Sequence, residues 1–316
     1  MGDGSEPVVA GHHVNVSKDE RASLTSRVIP QMTLSTASNP LTKPLAPISV
    51  TSPADRALAR FAIAGSCILT GGAGTLALAA ARALLEHGAS GVALLDLAAT
   101  LKSSAASITQ LRADFSGRVV TTHECNVTDA SSVDAAFAAV AEAHKHVSTL
   151  CCFAGIVGCV PSIEAPASQF KNVVDVNLSG SFLCAQAAAR LFAQSGTGGS
   201  IVFTASISAH STNFPQPQVA YNVSKAGVSH MTRNLAAEWA GIGVRVNCVS
   251  PGYLDTVLNA GESLQEVRDV WASRCPMGRM GDVEEVVGAV VLLCSPRAGR
   301  YMTGSETVVD GGALCF

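Results

Sequence analysis

SCILTGGAGTLALAAARALLEHGASGVALLD, residues 66–96, is the stretch that decides the fold. A short apolar run, Ser66–Thr70, leads directly into a glycine-rich turn, Thr70-Gly71-Gly72-Ala73-Gly74-Thr75. An Ala- and Leu-rich amphipathic stretch, Leu76–His87, follows, and a second apolar run, Val92–Asp96, closes the unit. Strand, helix and strand joined through such a turn predict a parallel β-α-β unit. Glycines at the junction permit a tight turn and let backbone N–H groups approach a pyrophosphate at a helix N-terminus. Packing alone explains a glycine turn equally well, and its place after the first strand is what favours phosphate binding. Asp96 ends the second strand, where a carboxylate accepts hydrogen bonds from both hydroxyls of an adenosine ribose and repels a 2′-phosphate. No Arg or Lys stands in the turn or immediately after Asp96 to neutralise such a phosphate, so NAD is preferred over NADP. The blander reading of Asp96 is a cap on the next helix.

The alternation continues downstream. Further strand-like runs are Arg118–His123, Thr149–Phe153, Ser200–Thr204 and Val244–Val249. Helix-like stretches are Ser103–Asp114, Ser131–His144, Ser168–Gln194 and Val219–Ala240. Continuous apolar strands separated by helices predict an α/β domain, residues 58–316, built on a single doubly wound parallel sheet of Rossmann type with helices on both faces. Residues 1–57 differ: they hold six of the thirteen prolines among many Ser and Thr residues, and read as a flexible Pro/Ser/Thr-rich extension. Asp3, Glu6, Asp19 and Glu20 count against a mitochondrial transit peptide.

Hydrophobic residues make up 48% of the 316 and charged residues 14%, enough to bury a large core. A net charge of −3 without a basic run argues against nucleic acid and anionic membrane surfaces. No apolar stretch suits a membrane span or a secretory leader, so a cytoplasmic protein is expected. The ten cysteines lack disulfide or metal-ligand spacing and read as reduced apolar filler, with no metal site. The adjacent Cys151 and Cys152 are expected to point to opposite faces of one strand.

The chemistry lies in residues 200–229, SIVFTASISAHSTNFPQPQVAYNVSKAGVS. Ser206 stands just past a buried strand, and Tyr221 and Lys225, four apart, share a helix face. An ammonium beside a phenol favours phenolate, and a Tyr so tuned works as general acid or base toward an alcohol or carbonyl. Taken alone, the pair fits a solvated helix face more simply. Strand ends supply further candidates: Asn126, with Val127 after it, could reach an adenine amino group, and Ala154-Gly155 would let a cofactor lie close to the backbone. Asn177, within Asp175-Val176-Asn177-Leu178-Ser179, is disfavoured inside a helix unless its amide bends the backbone or holds a water. An Asn satisfied by a neighbouring turn is the alternative.

Together these residues resemble the short-chain dehydrogenase/reductase family, from about Phe61 to the C-terminus. The resemblance also draws in Asn247, Pro251-Gly252 followed by Thr256, and Met302-Thr303-Gly304 to Asp310-Gly311-Gly312 as a last strand. It implies Tyr221 as catalytic acid/base, Lys225 lowering its pKa and holding the nicotinamide ribose, Ser206 positioning the substrate oxygen, and Asn177 anchoring a water-linked proton relay. The implied cofactor contacts are Thr70, Gly71, Gly72, Gly74, Thr75, Leu76, Asp96, Asn126, Val127, Ala154, Gly155, Tyr221, Lys225, Pro251, Gly252 and Thr256. Three departures stand out. Thr75 and Ala77 occupy the family's second and third glycine positions, with Gly74 one residue early. Cys152-Phe153 replaces an Asn pair before Ala154-Gly155, and a slightly long loop before Tyr221 leaves Ser208 as an alternative catalytic hydroxyl.

That loop, His210 to Gln218, is rich in hydrogen-bonding side chains and is similar to the loop of fungal polyol and ketose dehydrogenases acting on arabinitol, mannitol or sorbose. Ser208, His210, Asn213 and Gln218 are the substrate-contact candidates, although turn residues bonding their own backbone give the same composition. Residues Tyr253 to Met280, with Leu258, Val267, Val270, Trp271 and Met277, are expected to form an apolar lid. The expected activity is NAD-linked hydride transfer between a small-molecule secondary alcohol, a polyol or sugar, and its ketone. The alternatives are a ketoreductase of specialised metabolism and a non-catalytic NAD-binding protein. The resemblance further implies a homotetramer or homodimer built through the long helices, to which Ala185, Ala187, Ala188 and Ala189 offer close packing or, equally, an internal core.

Overall fold

Strands β1 (Ser66–Thr70), β2 (Gly91–Asp96), β3 (Val119–Glu124), β4 (Val147–Cys152), β5 (Gly199–Thr204), β6 (Val244–Pro251) and β7 (Glu306–Val309) form one sheet. Their order is β3-β2-β1-β4-β5-β6-β7, and every neighbouring pair is parallel. The computed structural model describes residues 29–50, 52–256 and 264–316. Leu34–Phe316 is one compact unit; the described part of the other, residues 29–33, contains neither helix nor strand. Residues 1–28 of the extension, and Leu258 of the expected lid, lie outside the described residues.

The helices are α1 (Pro53–Phe61), α2 (Thr75–Glu86), α3 (Ala98–Ser103), α4 (Ala105–Asp114), α5 (Ala130–Ala143), α6 (Ala167–Val174), α7 (Gly180–Ser195), α8 (Val219–Trp239), α9 (Gln265–Ser273) and α10 (Glu284–Cys294). They cover both faces. On one, Phe137 of α5, Phe192 of α7 and Leu235 of α8 pack against Ile68, Leu150, Ile201 and Phe203. On the other, Leu84 of α2, Leu111 of α4 and Val290 of α10 meet Cys67, Leu69, Leu94 and Val202. Strand side chains alternate between faces, so Cys152 joins the first cluster and Cys151 the second, as their adjacency predicts. All ten cysteines are free, and the buried ones act as small apolar side chains. Truncating a fully buried ring such as Phe203 or Phe192 to Ala would cost about 3–5 kcal/mol.

Two features of the fold set up the site. Strand order reverses between β1 and β4, which opens a crevice beyond their carboxyl ends. The stretch expected as one helix from Ser168 to Gln194 is α6, a π-helical segment at Asp175–Ser179, and α7. A π turn accommodates one extra residue in the helix, and here its centre is the buried Asn177.

Before α1, residues 34–50 carry no helix or strand but touch the same unit. Asn39 donates through Nδ2 to the Gly241 carbonyl at 2.9 Å, and Arg300 donates to the Lys43 carbonyl at 2.7 Å. Among the described residues no helix is long and apolar enough to cross a membrane, and no group of three metal-ligating side chains occurs.

Candidate active site

The glycine turn fills the crevice between β1 and β4. Gly71 has φ +62°, and a Cβ there would lie 2.6 Å from the Ala154 nitrogen; a Cβ on Gly72 would lie 2.7 Å from both the Leu69 carbonyl oxygen and Leu94 Cα. These two positions therefore need glycine. At Gly74 the nearest atom, the Gly71 oxygen, would be 3.1 Å away, and Gly74 starts α2 without a side-chain cap. Ala77, at the family's third glycine position, is buried against the sheet, so a methyl group fits where the helix meets it. Thr75 and Leu76 form the first turn of α2.

Asp96 closes the other side of the turn. Its two carboxylate oxygens accept from the Ala73 and Leu97 backbone nitrogens, at 3.1 and 2.8 Å. The carboxylate thus braces the turn and keeps lone pairs for a further donor. Asn126 is exposed, and its amide oxygen accepts from both the Thr128 nitrogen (3.1 Å) and the Thr128 hydroxyl (2.9 Å). That oxygen is fully used within the turn, so only the NH2 is left to meet an adenine, as a donor to a ring nitrogen rather than an acceptor from the amino group. Val127 is buried against Gly180 of α7. Phe153, one of the two residues that depart from the family's Asn pair, packs on the second core cluster, and its nitrogen donates to the Thr70 carbonyl at 3.0 Å. Gly252 lies at the β6 end, its nitrogen donating to the Val309 carbonyl at 2.9 Å; Pro251 ends that strand and Thr256 follows five residues on.

Ser206, Tyr221, Lys225 and Asn177 converge at the carboxyl ends of β4 and β5. Ser206 begins a 3-10 turn, Ile207–Ala209; its Oγ accepts from the Ser208 nitrogen and donates to Ser208 Oγ, both at 3.1 Å. Both hydroxyls are buried. Lys225 is 5% exposed; its Nζ donates to the Thr204 carbonyl at 2.6 Å and stands 5.5 Å from the Tyr221 ring centroid. Burial lowers its pKa to about 8. For Tyr221 the direction departs from the sequence expectation. Burial raises the phenol above its ordinary value, outweighing the nearby Ser206 hydroxyl that pulls it down. The ammonium lies over the ring and is tied to Thr204, so desolvation of the phenol dominates.

Asn177 is satisfied on all sides. Its Oδ1 accepts from the Ile156 nitrogen at 2.8 Å, and its Nδ2 donates to the Ile156 carbonyl and to Ser224 Oγ, both at 3.0 Å. A Cβ on Gly155 would lie 3.3 Å from Asn177 Oδ1 and 3.7 Å from Lys225 Nζ, which places the bare Gly155 backbone against both side chains.

The four substrate-contact candidates separate. Ser208 and Asn213 line one cleft together with Phe214, Tyr253, Trp271 and Arg274. Gln218 is buried and accepts from Gln216 Nε2 at 3.0 Å. His210 turns away: its Nε2 pairs with Glu306 of β7 at 2.6 Å, a carboxylate that also accepts from Ser229 and Ser250. The expectation that His210 faces substrate is therefore corrected. The acidic partner lies 96 residues on, where loop composition gives no signal of it.

Gln216 and Tyr253 belong to the polar loop and the lid expected from sequence, but the substrate-contact candidates do not include them. Tyr253 stacks on Trp271, with ring centroids 4.3 Å apart and planes 5° from parallel. Its hydroxyl accepts from Asn213 Nδ2 at 2.6 Å and from Gln216 Nε2 at 3.2 Å, and Trp271 Nε1 donates to Gln216 Oε1 at 3.1 Å. The expected lid thus contributes polar atoms as well as apolar ones. Ala185, Ala187 and Ala188 lie in the chain's own first core cluster and Ala189 is buried too, so all four serve an internal core.

Comparison with known proteins gives consistent matches. The family model described as "Enoyl-(Acyl carrier protein) reductase" matches residues 71–313. The chain is 41% identical over 260 residues to the D-arabinitol 2-dehydrogenase [ribulose-forming] of Candida albicans (strain WO-1), covering 79% of this chain and 92% of that enzyme. It is 36% identical over 266 residues to the NADP-dependent mannitol dehydrogenase of Hypocrea jecorina, covering 82% and 96%. Among solved structures it is similar to a short-chain type dehydrogenase/reductase from Mycobacterium marinum, with TM-score 0.76 and 36% identity over 82% of this chain and 99% of that one.

Proposed function

Because the chain belongs to the short-chain dehydrogenase/reductase family and is an alcohol dehydrogenase acting on CH–OH groups, we propose that it interconverts a polyol and its ketose with NAD. The observation that carries this reading is the convergence of Ser206, Tyr221 and Lys225 next to a cleft to which Ser208, Thr212, Asn213 and Tyr253 contribute hydrogen-bonding groups. Ile207, Phe214 and Trp271 line the same cleft, and that apolar share would favour a ketoreductase of apolar substrates instead.

The chain's own residues fit a nicotinamide dinucleotide. Gly71 and Gly72 leave backbone room at the start of α2, Asp96 offers ribose-facing oxygens, and Gly155 gives close access beside Lys225. Thr70, Gly74, Thr75, Leu76, Asn126, Val127, Ala154, Pro251, Gly252 and Thr256 would complete its bed. When bound, the nicotinamide supplies the hydride acceptor for oxidation and the donor for reduction. Asp96, with no Arg or Lys in the glycine turn or immediately after it in the sequence, supports NAD over NADP, although the Hypocrea jecorina relative is named NADP-dependent.

In oxidation, Ser206 holds the substrate hydroxyl and the phenolate form of Tyr221 takes its proton, while the carbinol hydrogen would leave as hydride to the bound nicotinamide. In reduction, Tyr221 returns the proton to the forming alkoxide. Burial keeps Tyr221 a phenol at neutral pH, the form that donates. The Lys225 ammonium over the ring favours the phenolate that forms when the proton leaves. Asn177 holds the Ile156 backbone and thereby the Gly155 shelf rather than touching the reacting atoms. Ser206 is preferred to Ser208 as the substrate-holding hydroxyl because it is the one close enough to Tyr221 to lower its titration. Apolar side chains left exposed at Phe182 of α7 and at Val219 and Val223 of α8 support assembly with further copies of the chain.

The test is NADH formation with a panel of polyols and apolar secondary alcohols, each with NAD and NADP, beside Tyr221→Phe. Polyol turnover with NAD that disappears in the variant is the expected result. Activity confined to apolar alcohols would overturn the polyol assignment, and NADP preference would overturn the reading of Asp96.

A further inference from the structure

The hydrogen bonds around Tyr253 have a direction, and Trp271 sets it. An indole N–H only donates, so the atom of Gln216 facing it at 3.1 Å is the amide oxygen. The Gln216 NH2 therefore points the other way, to Tyr253 Oη at 3.2 Å and Gln218 Oε1 at 3.0 Å. Tyr253 Oη also receives Asn213 Nδ2 at 2.6 Å, so both of its acceptor positions are filled by amide donors. Its own proton is then free to donate elsewhere. Asn213 Oδ1, on the other end of the same amide, is buried and has no partner within the protein. Buried amide oxygens are normally paired, and this one belongs to a residue that lines the cleft beside Ser208 and Tyr253.

We propose that Tyr253 Oη–H and Asn213 Oδ1 act as a donor–acceptor pair that binds a second hydroxyl of the substrate, one that does not react. This deepens the polyol reading of the preceding subsection and rests on it. A hydroxyl donates one hydrogen bond and accepts others, so a single alcohol group satisfies both atoms at once. A carbonyl in its place satisfies only the Tyr253 donor, and a methylene satisfies neither, leaving both polar atoms unpaired when substrate fills the cleft. The pair is held in place on both sides. The Trp271 stack fixes the phenol plane, and Asp255, two residues after Tyr253, is clamped by Arg268 of α9 through two contacts of 2.9 Å. Tyr253 is also near enough to Tyr221 to bear on its titration, which puts the pair beside the reacting centre. The class recognised is a secondary alcohol bearing further hydroxyls, as opposed to a secondary alcohol of equal length without them.

The experiment measures kcat and KM for a pentitol, the same pentitol lacking one non-reacting hydroxyl, and 2-pentanol. The wild type is compared with Tyr253→Phe, which keeps the ring for the Trp271 stack, and Asn213→Leu, which removes the acceptor at similar size. The expected result is a rise of about tenfold in KM for the pentitol in either variant, with kcat little changed. For the appropriate deoxypentitol and for 2-pentanol, KM should move by less than about twofold. A variant that slows all three substrates by the same factor, or leaves the pentitol KM unchanged, overturns the inference while the polyol reading stands. A wild-type enzyme that oxidises 2-pentanol but no polyol overturns the polyol reading, and the inference with it. Thermal melts of both variants identify one that has not folded; the other then carries the same comparison.

Discussion

The proposed dinucleotide end and the proposed substrate end of the site are built from different materials. At the dinucleotide end, space is made by absent side chains: Gly71 lies against Ala154, Gly72 against Leu69 and Leu94, and Gly155 against Asn177 and Lys225. Asp96 contributes a side chain there, but it too works on backbone, bracing the Ala73 and Leu97 nitrogens. At the substrate end, everything is side chain. Asn213, Gln216, Tyr253 and Trp271 come from two distant stretches and are joined by hydrogen bonds and one aromatic stack. Backbone-built surfaces serve any ligand of one shape and are costly to alter. Surfaces built from side chains can be changed one residue at a time, and selectivity resides there.

Substitutions at the seam and at either end test that contrast. Tyr221→Phe, between the two, should lower kcat/KM by about 10²–10⁴-fold with little change in NAD dissociation, since it removes only the proton carrier. Loss of cofactor binding as well would mean that the seam belongs to the dinucleotide end. Gly71→Ala should destabilise the fold by at least about 2 kcal/mol in urea unfolding, because φ +62° and a 2.6 Å approach to backbone both oppose a Cβ. An alanine accepted without loss would break the claim that this end is made of space. Asp96→Asn should raise use of NADP relative to NAD by about tenfold, measured as the ratio of kcat/KM values.

Lys225 gives a pH test of the seam. Its pKa is about 8 in the folded protein against an ordinary 10.5, so between those values the folded state holds fewer protons than the unfolded chain. Stability contributed by this residue therefore rises with pH across that window, and its full burial penalty applies below pH 8. Unfolding free energies of wild type minus Lys225→Met should climb from pH 8 to 10.5; buried thiols titrate in both proteins and cancel. A flat difference would show that Lys225 is not buried as described. The smallest effect is expected for Gln216→Glu. A carboxylate still accepts from Trp271 but offers Tyr253 an acceptor in place of a donor, so the phenol proton turns from the cleft to the new side chain. Selectivity for a polyol over a simple alcohol should fall about threefold with a nearly unchanged melting temperature.

How much of this the sequence discloses follows from the same division. The parallel sheet, the glycine turn and the positions of Asp96, Ser206, Tyr221 and Lys225 are legible because each depends on spacing within one strand-turn-helix unit. His210 misleads because its partner, Glu306, reaches it only through folding of β7 alongside β6. The pairing of Gln216 with Tyr253 stays hidden for the same reason: two residues 37 apart share a hydrogen bond that no local pattern announces. The direction of the Tyr221 shift is hidden too, since burial depends on what closes over the phenol and not on a neighbour four residues along.

The π turn at Asp175–Ser179 has a consequence for how this chain changes over time. One residue more or less in a helix rotates all that follows by about 100°. The π turn takes up that rotation within Asp175–Ser179, so deleting one residue of the segment would let α6 and α7 close into an uninterrupted α-helix with Ala185, Ala188 and Phe192 still on the sheet they now cover. The extra residue that brings Asn177 to Ile156 is therefore uncoupled from the phase of the sixteen-residue helix behind it. It works as a removable insert. The core of α7 does not hold it in place, so descendants of this chain keep the insertion only while something at Asn177 requires it.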